Sequence, residues 1–340
     1  MGKNVKPHPI RVRFFYGGGT MDRKTKQMGI ACGALSGLTY GIYTTLVLVA
    51  GGCDPLAGSL GLLAAPYVCA GLNDLLSGLW LTVYHARKGR LGQLGRVLGT
   101  VPGRRMLLGA LLGGPVANGA YLVGLALAGA YAIPVSATCG LFGALFAWLF
   151  LGQRPGKRVV LGMLTCAAGA VILNWVPPAD SPNFALGILC ALLAAVCWGL
   201  EGMFSGSGGG QVDTDAATNL RQLLSGTLDL VIVVPVIGAA GLLKGTLSAG
   251  WPVLLLALSG LAAGASYLLW YRANSTVGCA IGMSLNVTYA FWGVLLSILF
   301  LGQPVTATIV LGSCTILLGA VLVTMNPLEL LRRPAPLPES

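Results

Sequence analysis

Charged side chains are scarce in this chain, and histidine is nearly absent. Only 9% of the 340 residues are Asp, Glu, Lys or Arg, ten residues are acidic, and two are histidines. A soluble domain carries roughly a quarter charged residues, so this composition excludes an ordinary soluble globular protein. The chain also has no phosphate-binding sequence that would hold a nucleotide, which excludes a mechanism driven by ATP.

The nine cysteines show no paired spacing, and most of them lie inside apolar runs. Cysteines of this kind act as small packing residues. The sequence therefore predicts neither a disulfide framework nor a metal site. We also expect no cofactor, because no cofactor-binding motif accompanies the apolar runs.

Apolar residues are correspondingly abundant: 55% of the chain is hydrophobic and the mean hydropathy is +0.80. A bilayer-spanning helix needs about 20 apolar residues. Such runs occur ten times, at 28–50, 56–84, 106–127, 130–151, 157–176, 184–205, 217–241, 250–272, 278–301 and 305–325. The fold class predicted is an all-α integral membrane protein with ten transmembrane helices. Because Pro66 and Pro235 fall inside the long second and seventh runs, we expect those two helices to be tilted or broken.

The basic residues are placed asymmetrically around these spans. They concentrate in the tail at 1–27, in the loops after the second and fourth spans, and in the tail at 326–340. By the positive-inside rule both tails are predicted to be cytoplasmic in a multi-pass protein of the cell membrane. The net charge of +11 is then a topology signal: the expected surroundings are a lipid bilayer, and nucleic acid is not an expected partner. Residues 1–20 differ from the rest, and the sequence predicts Met21 as the biological start.

Two halves of the chain repeat each other. Residues 130–153 and 280–303 coincide at nine positions under a shift of 150, and both end in Phe-Leu-Gly-Gln. Residues 29–43 match 187–201 at a shift of 158. We therefore predict a duplication, with copies at 28–176 and 184–325. Because each copy has five spans, an odd number, the second copy is expected to be inverted in the membrane, as in many secondary transporters.

The repeat also aligns the residues that favour a binding site. Tyr40 matches Trp198 and Tyr43 matches Glu201, and in each helix the pair is three residues apart and shares one face. A carboxylate among aromatic rings suits a large, weakly hydrated cation. The ninth span adds a second polar and aromatic face. The predicted substrate-binding residues are Tyr40, Tyr43, Trp198, Glu201, Asn286, Tyr289 and Trp292.

Ionisable residues inside a membrane are costly, so the few present are candidates for function. We expect Asp74 and Arg221 to act in gating or coupling. Two structural alternatives stay open: Glu201 pairs with Arg221, and Asn286 forms a hydrogen bond between helices. For Asp229 the sequence alone predicts no function.

Several motifs resemble a known family. They are residues 73–80 (NDLLSGLW), 198–201 (WGLE), 220–222 (LRQ) and 283–292 (MSLNVTYAFW). With the ten spans and two five-span copies, residues 28–325 resemble the drug/metabolite transporter superfamily, EamA type, and within it the choline permeases of the LicB type. The resemblance implies uptake of choline or a related quaternary amine by a secondary transporter.

Two other functions compete with this interpretation. One is an EamA-type exporter of amino acids or other metabolites, because aromatic pockets also hold such solutes. The other is a membrane enzyme that acts on lipid-linked substrates. Such an enzyme needs a nucleophile or an acid–base pair at the interface, and the external loops offer little beyond Asp54 and Asp180. We therefore expect a transporter of a small molecule and no enzyme activity.

Overall fold

The computed structural model describes residues 23–59, 63–128, 131–173, 183–207, 212–302 and 304–324, and within these ranges every regular element is helical. The helices are α1 (Arg23–Gly51), α2 (Ala64–Arg87), α3 (Leu91–Gly99), α4 (Val101–Leu111), α5 (Ala117–Ala128), α6 (Ala132–Ser136), α7 (Cys139–Leu151), α8 (Lys157–Leu173), α9 (Phe184–Gly206), α10 (Thr214–Leu228), α11 (Val234–Val236), α12 (Ala240–Ala249), α13 (Trp251–Val277), α14 (Cys279–Asn286), α15 (Tyr289–Leu301) and α16 (Ala307–Thr324). π-helical turns join α4 to α5 (Leu112–Val116) and α10 to α11 (Asp229–Val233). Residues 1–22, including the predicted start at Met21, and the predicted tail at 326–340 lie outside the described residues.

Seven segments of the described chain are long and apolar enough to cross a membrane. They are Arg23–Gly51, Val101–Leu125, Phe184–Gly206, Thr214–Val236, Trp251–Val277, Cys279–Leu301 and Ala307–Thr324. This confirms a multi-pass helical membrane protein. The other three predicted spans correspond to α2, to α6 with α7, and to α8. Of these, α7 and α8 have only 13 and 17 residues.

The seventh predicted span is interrupted next to its proline, because α11 ends at Val236 and α12 begins at Ala240, whereas Pro66 does not break α2. α2 begins at Ala64, so Pro66 lies in its first turn, where a missing N–H leaves no hydrogen bond unmade. Pro235 lies in the short α11, just after a π-helical turn. The unpredicted break is in the third span, where Gly114 leaves helical geometry (ψ −106°) next to Pro115.

The repeated stretch has the same shape in both copies. α6 and α7 are separated at Thr138, and α14 and α15 are separated at Thr288. Each threonine hydroxyl donates to the carbonyl three residues before it, over 2.6 Å. Each stretch then ends at a left-handed glycine, Gly152 (φ 70°) or Gly302 (φ 66°), a conformation that favours glycine at a helix end.

Two pairs of helices at equivalent positions of the predicted copies run antiparallel. In the pair of α2 and α10, Gly71 packs on Leu230 and Gly78 on Leu223, so numbers rise along one helix as they fall along the other. The last helices of the copies, α8 and α16, pair in the same way (Gly162 on Val323, Gly169 on Ile316). Because these contacts occur at glycines, the backbones approach closely.

The first helix of each predicted copy packs against two helices of the other copy. α1 packs on α13 and α15, which belong to the second predicted copy. α9 packs on α5 and α7, which are the equivalents of α13 and α15 in the first predicted copy. A stripe of glycines on α1 contacts α14 and α15: Gly33 meets Leu285, Gly37 meets Thr288, and Gly41 meets Trp292. The stripe therefore brings α1 against α14 and α15, which places the candidate site between them.

Candidate functional site

A cavity lies where α1, α9, α13, α14 and α15 meet, with α6 and α7 along one side. It measures about 60 Å³, and a buried water needs about 10–15 Å³ of such space. The cavity therefore has room for a small solute and little room for a drug-sized one. It is lined by Tyr40, Ser136, Cys139, Trp198, Glu201, Ser266, Tyr267, Trp270, Met283, Asn286, Val287 and Tyr289.

Aromatic rings from both copies form the walls of the cavity. Tyr40 on α1 lies between Tyr289 and Tyr43, with ring centroids 4.2 and 4.5 Å away. Tyr289 begins α15, directly after the break at Thr288, so the break directs its ring toward α1. Such rings present negatively polarised faces, which attract a cation.

The indole of Trp198 is held in a fixed orientation. Its Nε1 donates to the carbonyl of Gly113 over 2.8 Å, and its ring packs against Tyr121 at 5.4 Å. Gly113 lies in the π-helical turn between α4 and α5. A π-helical turn leaves some carbonyls without their usual helical partner, so this irregularity supplies an acceptor for the indole.

Arg221 on α10 is the centre of a buried ionic network beside the cavity. Its side chain is fully buried, and it donates from Nε to Glu201 and from Nη1 to Asp74, each over 2.9 Å. Nη1 also donates to Gln222, and Nη2 donates to the hydroxyl of Tyr267 over 3.0 Å. Every nitrogen of the guanidinium therefore has a partner.

Glu201 connects this network to the cavity. Its Oε1 accepts hydrogen bonds from Arg221 and from the hydroxyl of Tyr271, both over 2.9 Å. Its Oε2 is buried and has no hydrogen-bond partner among the described residues. That oxygen packs against Gly113, where any Cβ atom would overlap it. Glu201 therefore has one oxygen that accepts hydrogen bonds and one that has no hydrogen-bond partner among the described residues.

A second layer of polar side chains supports Asp74. Asn73 donates to Asp74 over 3.2 Å and accepts from Ser259 over 2.6 Å. Gln222 donates to Ser77 over 2.7 Å. With two carboxylates and one guanidinium ionised, the network carries a net charge of −1, which makes the site attractive to a cation.

The structure brings five of the seven predicted binding residues to the cavity: Tyr40, Trp198, Glu201, Asn286 and Tyr289. Tyr43 lies behind Tyr40. Trp292 lies outside the lining, packed on Gly41 and against the ring of Phe291.

Both structural alternatives raised by the sequence are present in the structure. Glu201 pairs with Arg221, and Asn286 Nδ2 donates to Ser36 Oγ on α1 over 3.1 Å. The two gating or coupling candidates, Asp74 and Arg221, form one ion pair. Pairing does not remove Glu201 or Asn286 from the cavity, because both still line it.

The sequence analysis missed the contribution of α13. Tyr267 and Trp270 line the cavity, and the hydroxyl of Tyr271 reaches Glu201. The guanidinium of Arg221 also lies 4.0 Å from the ring of Tyr267. One signal was available: Tyr271 matches Tyr121 under the repeat, and Tyr121 packs on Trp198.

Metal-binding residues do not gather in the described part of the chain. No group of three or more His, Cys, Asp or Glu side chains there is close enough to hold an ion. The cysteines in the described ranges are unpaired thiols.

Comparisons with known proteins agree with this architecture. Residues 185–325 match the model of the EamA-like transporter family. An uncharacterized transporter in the cobO 3' region of a Sinorhizobium species is 32% identical over 136 residues, 40% of this chain and 94% of that protein. An uncharacterized protein of Pseudomonas aeruginosa is 29% identical over 188 residues, 54% of this chain, and the match spans 62% of that protein, less than two thirds of its length.

The fold itself is present among solved structures. One, described only as the crystal structure of a protein, superimposes with a TM-score of 0.63 over 88% of this chain and 97% of its own. At 20% sequence identity this similarity concerns the fold alone.

Proposed function

Because this chain belongs to the EamA-like transporter family, we propose that it is a secondary transporter of choline or a related quaternary amine. The observation that carries this proposal is the cavity itself. Aromatic rings of Tyr40, Trp198, Tyr267 and Tyr289 surround it, and Glu201, whose Oε2 has no hydrogen-bond partner among the described residues, also lines it. A quaternary ammonium group cannot donate hydrogen bonds, so ring faces and a counter-charge are the partners that it needs.

The charges around the cavity favour a cation over an amino acid. An amino acid carries a carboxylate, which needs a cationic partner. Arg221 is the cation adjoining the cavity in the described part of the chain, and both carboxylates of the network already occupy it. The small volume also favours a solute of few atoms over a drug-sized one.

The transport mechanism we propose is alternating access by two inverted copies, 28–176 and 184–325, with ten spans in all. Two observations support it. Equivalent helices run antiparallel, as α2 does to α10 and α8 to α16. The family model also matches 185–325, nearly the range of the second copy. In this arrangement the protein lies in the cell membrane with both tails cytoplasmic, and it moves its solute without catalysing a reaction.

Counterflow of radiolabelled choline in proteoliposomes tests the proposal. We expect the wild-type protein to exchange choline, and Trp198→Ala and Glu201→Gln each to reduce exchange about tenfold or more, the effect of losing roughly 1.4 kcal/mol of binding. Trp148→Ala is the matched control, because Trp148 is an exposed residue of α7 remote from the cavity lining.

Unchanged exchange in both cavity variants would remove the proposed site. No exchange by the wild-type protein above empty liposomes would remove choline as the substrate. Competition by unlabelled amino acids as strong as that by unlabelled choline would favour the alternative, an exporter of amino acids or other metabolites.

A further inference from the structure

Asp229 is a buried carboxylic acid that the proposed binding site does not use. It begins the π-helical turn after α10, its relative exposure is 0%, and neither carboxylate oxygen has a hydrogen-bond partner among the described residues. It packs against Gly71 of α2, where an added Cβ atom would lie 3.1 Å from the Cβ of Asp229.

The surroundings of Asp229 favour the neutral acid. The ionisable groups that act on it are Asp74 and Tyr67 from α2 and Arg221 from α10. Arg221 is already paired with Asp74 and Glu201, so it is not available as a counter-ion. Burying an ionised carboxylate without a partner costs far more than burying the protonated acid.

Two more buried oxygens without a hydrogen-bond partner among the described residues lie against the π-helical turn Leu112–Val116. The hydroxyl of Ser225, one helical turn before Asp229, is buried and has no hydrogen-bond partner in the described part of the chain. It packs against Gly114, where an added Cβ atom would lie 2.6 Å from it. The neighbouring Gly113 packs against the unpaired Oε2 of Glu201. Adjacent glycines of one π-helical turn therefore border both the Ser225 hydroxyl and the cavity carboxylate.

We propose that Asp229 binds a proton that competes with the transported cation, and that Ser225 and Glu201 connect this proton site to the cavity. The step is a transfer of H⁺ between water and a carboxylate oxygen, in which one O–H bond forms and another breaks. A proton neutralises Asp229 and thereby removes a negative charge that attracts a cation beside Glu201 in the low-dielectric interior. By linkage, each weakens the binding of the other by the same factor. The proposal rests on the proposed function, since the cation is the transported solute.

Binding of radiolabelled choline to detergent-purified protein as a function of pH tests this competition. For the wild-type protein we expect the affinity to rise about fivefold or more from pH 6 to pH 8.5, the lower end of typical coupling between two sites. Asp229→Asn, an isosteric neutral variant, is expected to bind choline with the same affinity at every pH in this range. Asp54→Asn, at an exposed position in a turn, is the control and should keep the wild-type profile. A wild-type affinity that does not change with pH, or a pH dependence retained in Asp229→Asn, would overturn the proposal.

A second measurement needs no substrate and separates this proposal from the choline assignment. Infrared spectra of wild-type protein and Asp229→Asn are compared for the carbonyl band of a protonated carboxylic acid. We expect the wild-type spectrum to contain a band near neutral pH that the variant lacks. If the wild-type protein binds no choline at any pH, the choline assignment fails, and the infrared band then decides whether Asp229 binds a proton. Identical bands in both proteins would show that it does not.

Discussion

At the scale of single residues, the cavity depends on one arginine that pairs with two carboxylates. Arg221 is fully buried and satisfies Asp74 and Glu201 at once. Without Arg221, both buried carboxylates would lack a counter-charge. Leaving a buried charge without its ionic partner is strongly destabilising in proteins. The same pairing leaves Glu201 with one oxygen that has no hydrogen-bond partner among the described residues. A single guanidinium thus provides the counter-charge for both buried carboxylates.

Replacing Arg221 should therefore be far more harmful than replacing an exposed arginine. We expect Arg221→Gln to lower the free energy of unfolding by about 3–5 kcal/mol, because two carboxylates lose their partner. Arg272 pairs with Asp215 over 2.7 Å but is 40% exposed, so Arg272→Gln should cost less than about 1 kcal/mol. Apparent melting temperatures in detergent measure both effects. Equal shifts for the two variants would contradict this account of the network.

Part of this site could be predicted from the sequence. Tyr40, Trp198 and Glu201 are recognisable because the duplication aligns their two helices. The network is not recognisable in this way. Arg221 and Asp74 are 147 residues apart, and their contact depends on how α2 and α10 are aligned against each other. The aromatic residues of α13 were missed because the apolar pattern of this helix does not indicate which face meets the cavity, and the match of Tyr271 with Tyr121 was the one signal available.

At the scale of elements, the site depends on helices that are interrupted and closely packed. α14 and α15 are separated at Thr288, and this break brings Tyr289 to the cavity. α1 approaches the broken helix through Gly33, Gly37 and Gly41. The apolar pattern predicted both spans. It did not predict the break, because a threonine in a membrane helix is compatible with a straight helix as well.

The glycine stripe of α1 makes a testable prediction. A Cβ atom at position 41 would lie 2.6 Å from the Cβ of Trp292 and 2.9 Å from the backbone nitrogen of Gly293, so α15 would have to move. We expect Gly41→Ala to lower stability by about 1–3 kcal/mol, the usual cost of overpacking, and to reduce choline exchange.

Gly51→Ala is the matched control for this prediction. Gly51 ends the same helix and has no atom within 4 Å of an added Cβ, so alanine there should be neutral or stabilising by up to about 1 kcal/mol. Melting temperature in detergent and counterflow in proteoliposomes are the two measurements. A Gly41→Ala protein as stable and as active as Gly51→Ala would show that the close contact of α1 with α15 is not needed.

At the scale of the whole molecule, the proposed inversion accounts for several separate observations. An odd number of spans in each copy requires opposite orientations, and the basic loops alternate accordingly. The antiparallel pairs α2 with α10 and α8 with α16 have the geometry that inverted copies would give. The proposed duplication could be predicted from the sequence because shifts of 150 and 158 residues align parts of the two copies. The pairing of the helices could not be predicted from the sequence, because it depends on close contacts between glycines and side chains that lie far away in the sequence.

The most direct test of the central claim, that two inverted copies enclose one cavity, is the accessibility of the two repeated turns. Arg154 and Val305 follow α7 and α15 and are both exposed. In a chain whose nine native cysteines are replaced, Arg154→Cys and Val305→Cys are treated with a membrane-impermeant maleimide on intact cells. The account predicts labelling at position 305 from outside and at position 154 only after the membrane is permeabilised. Labelling of both positions from the same side would contradict it.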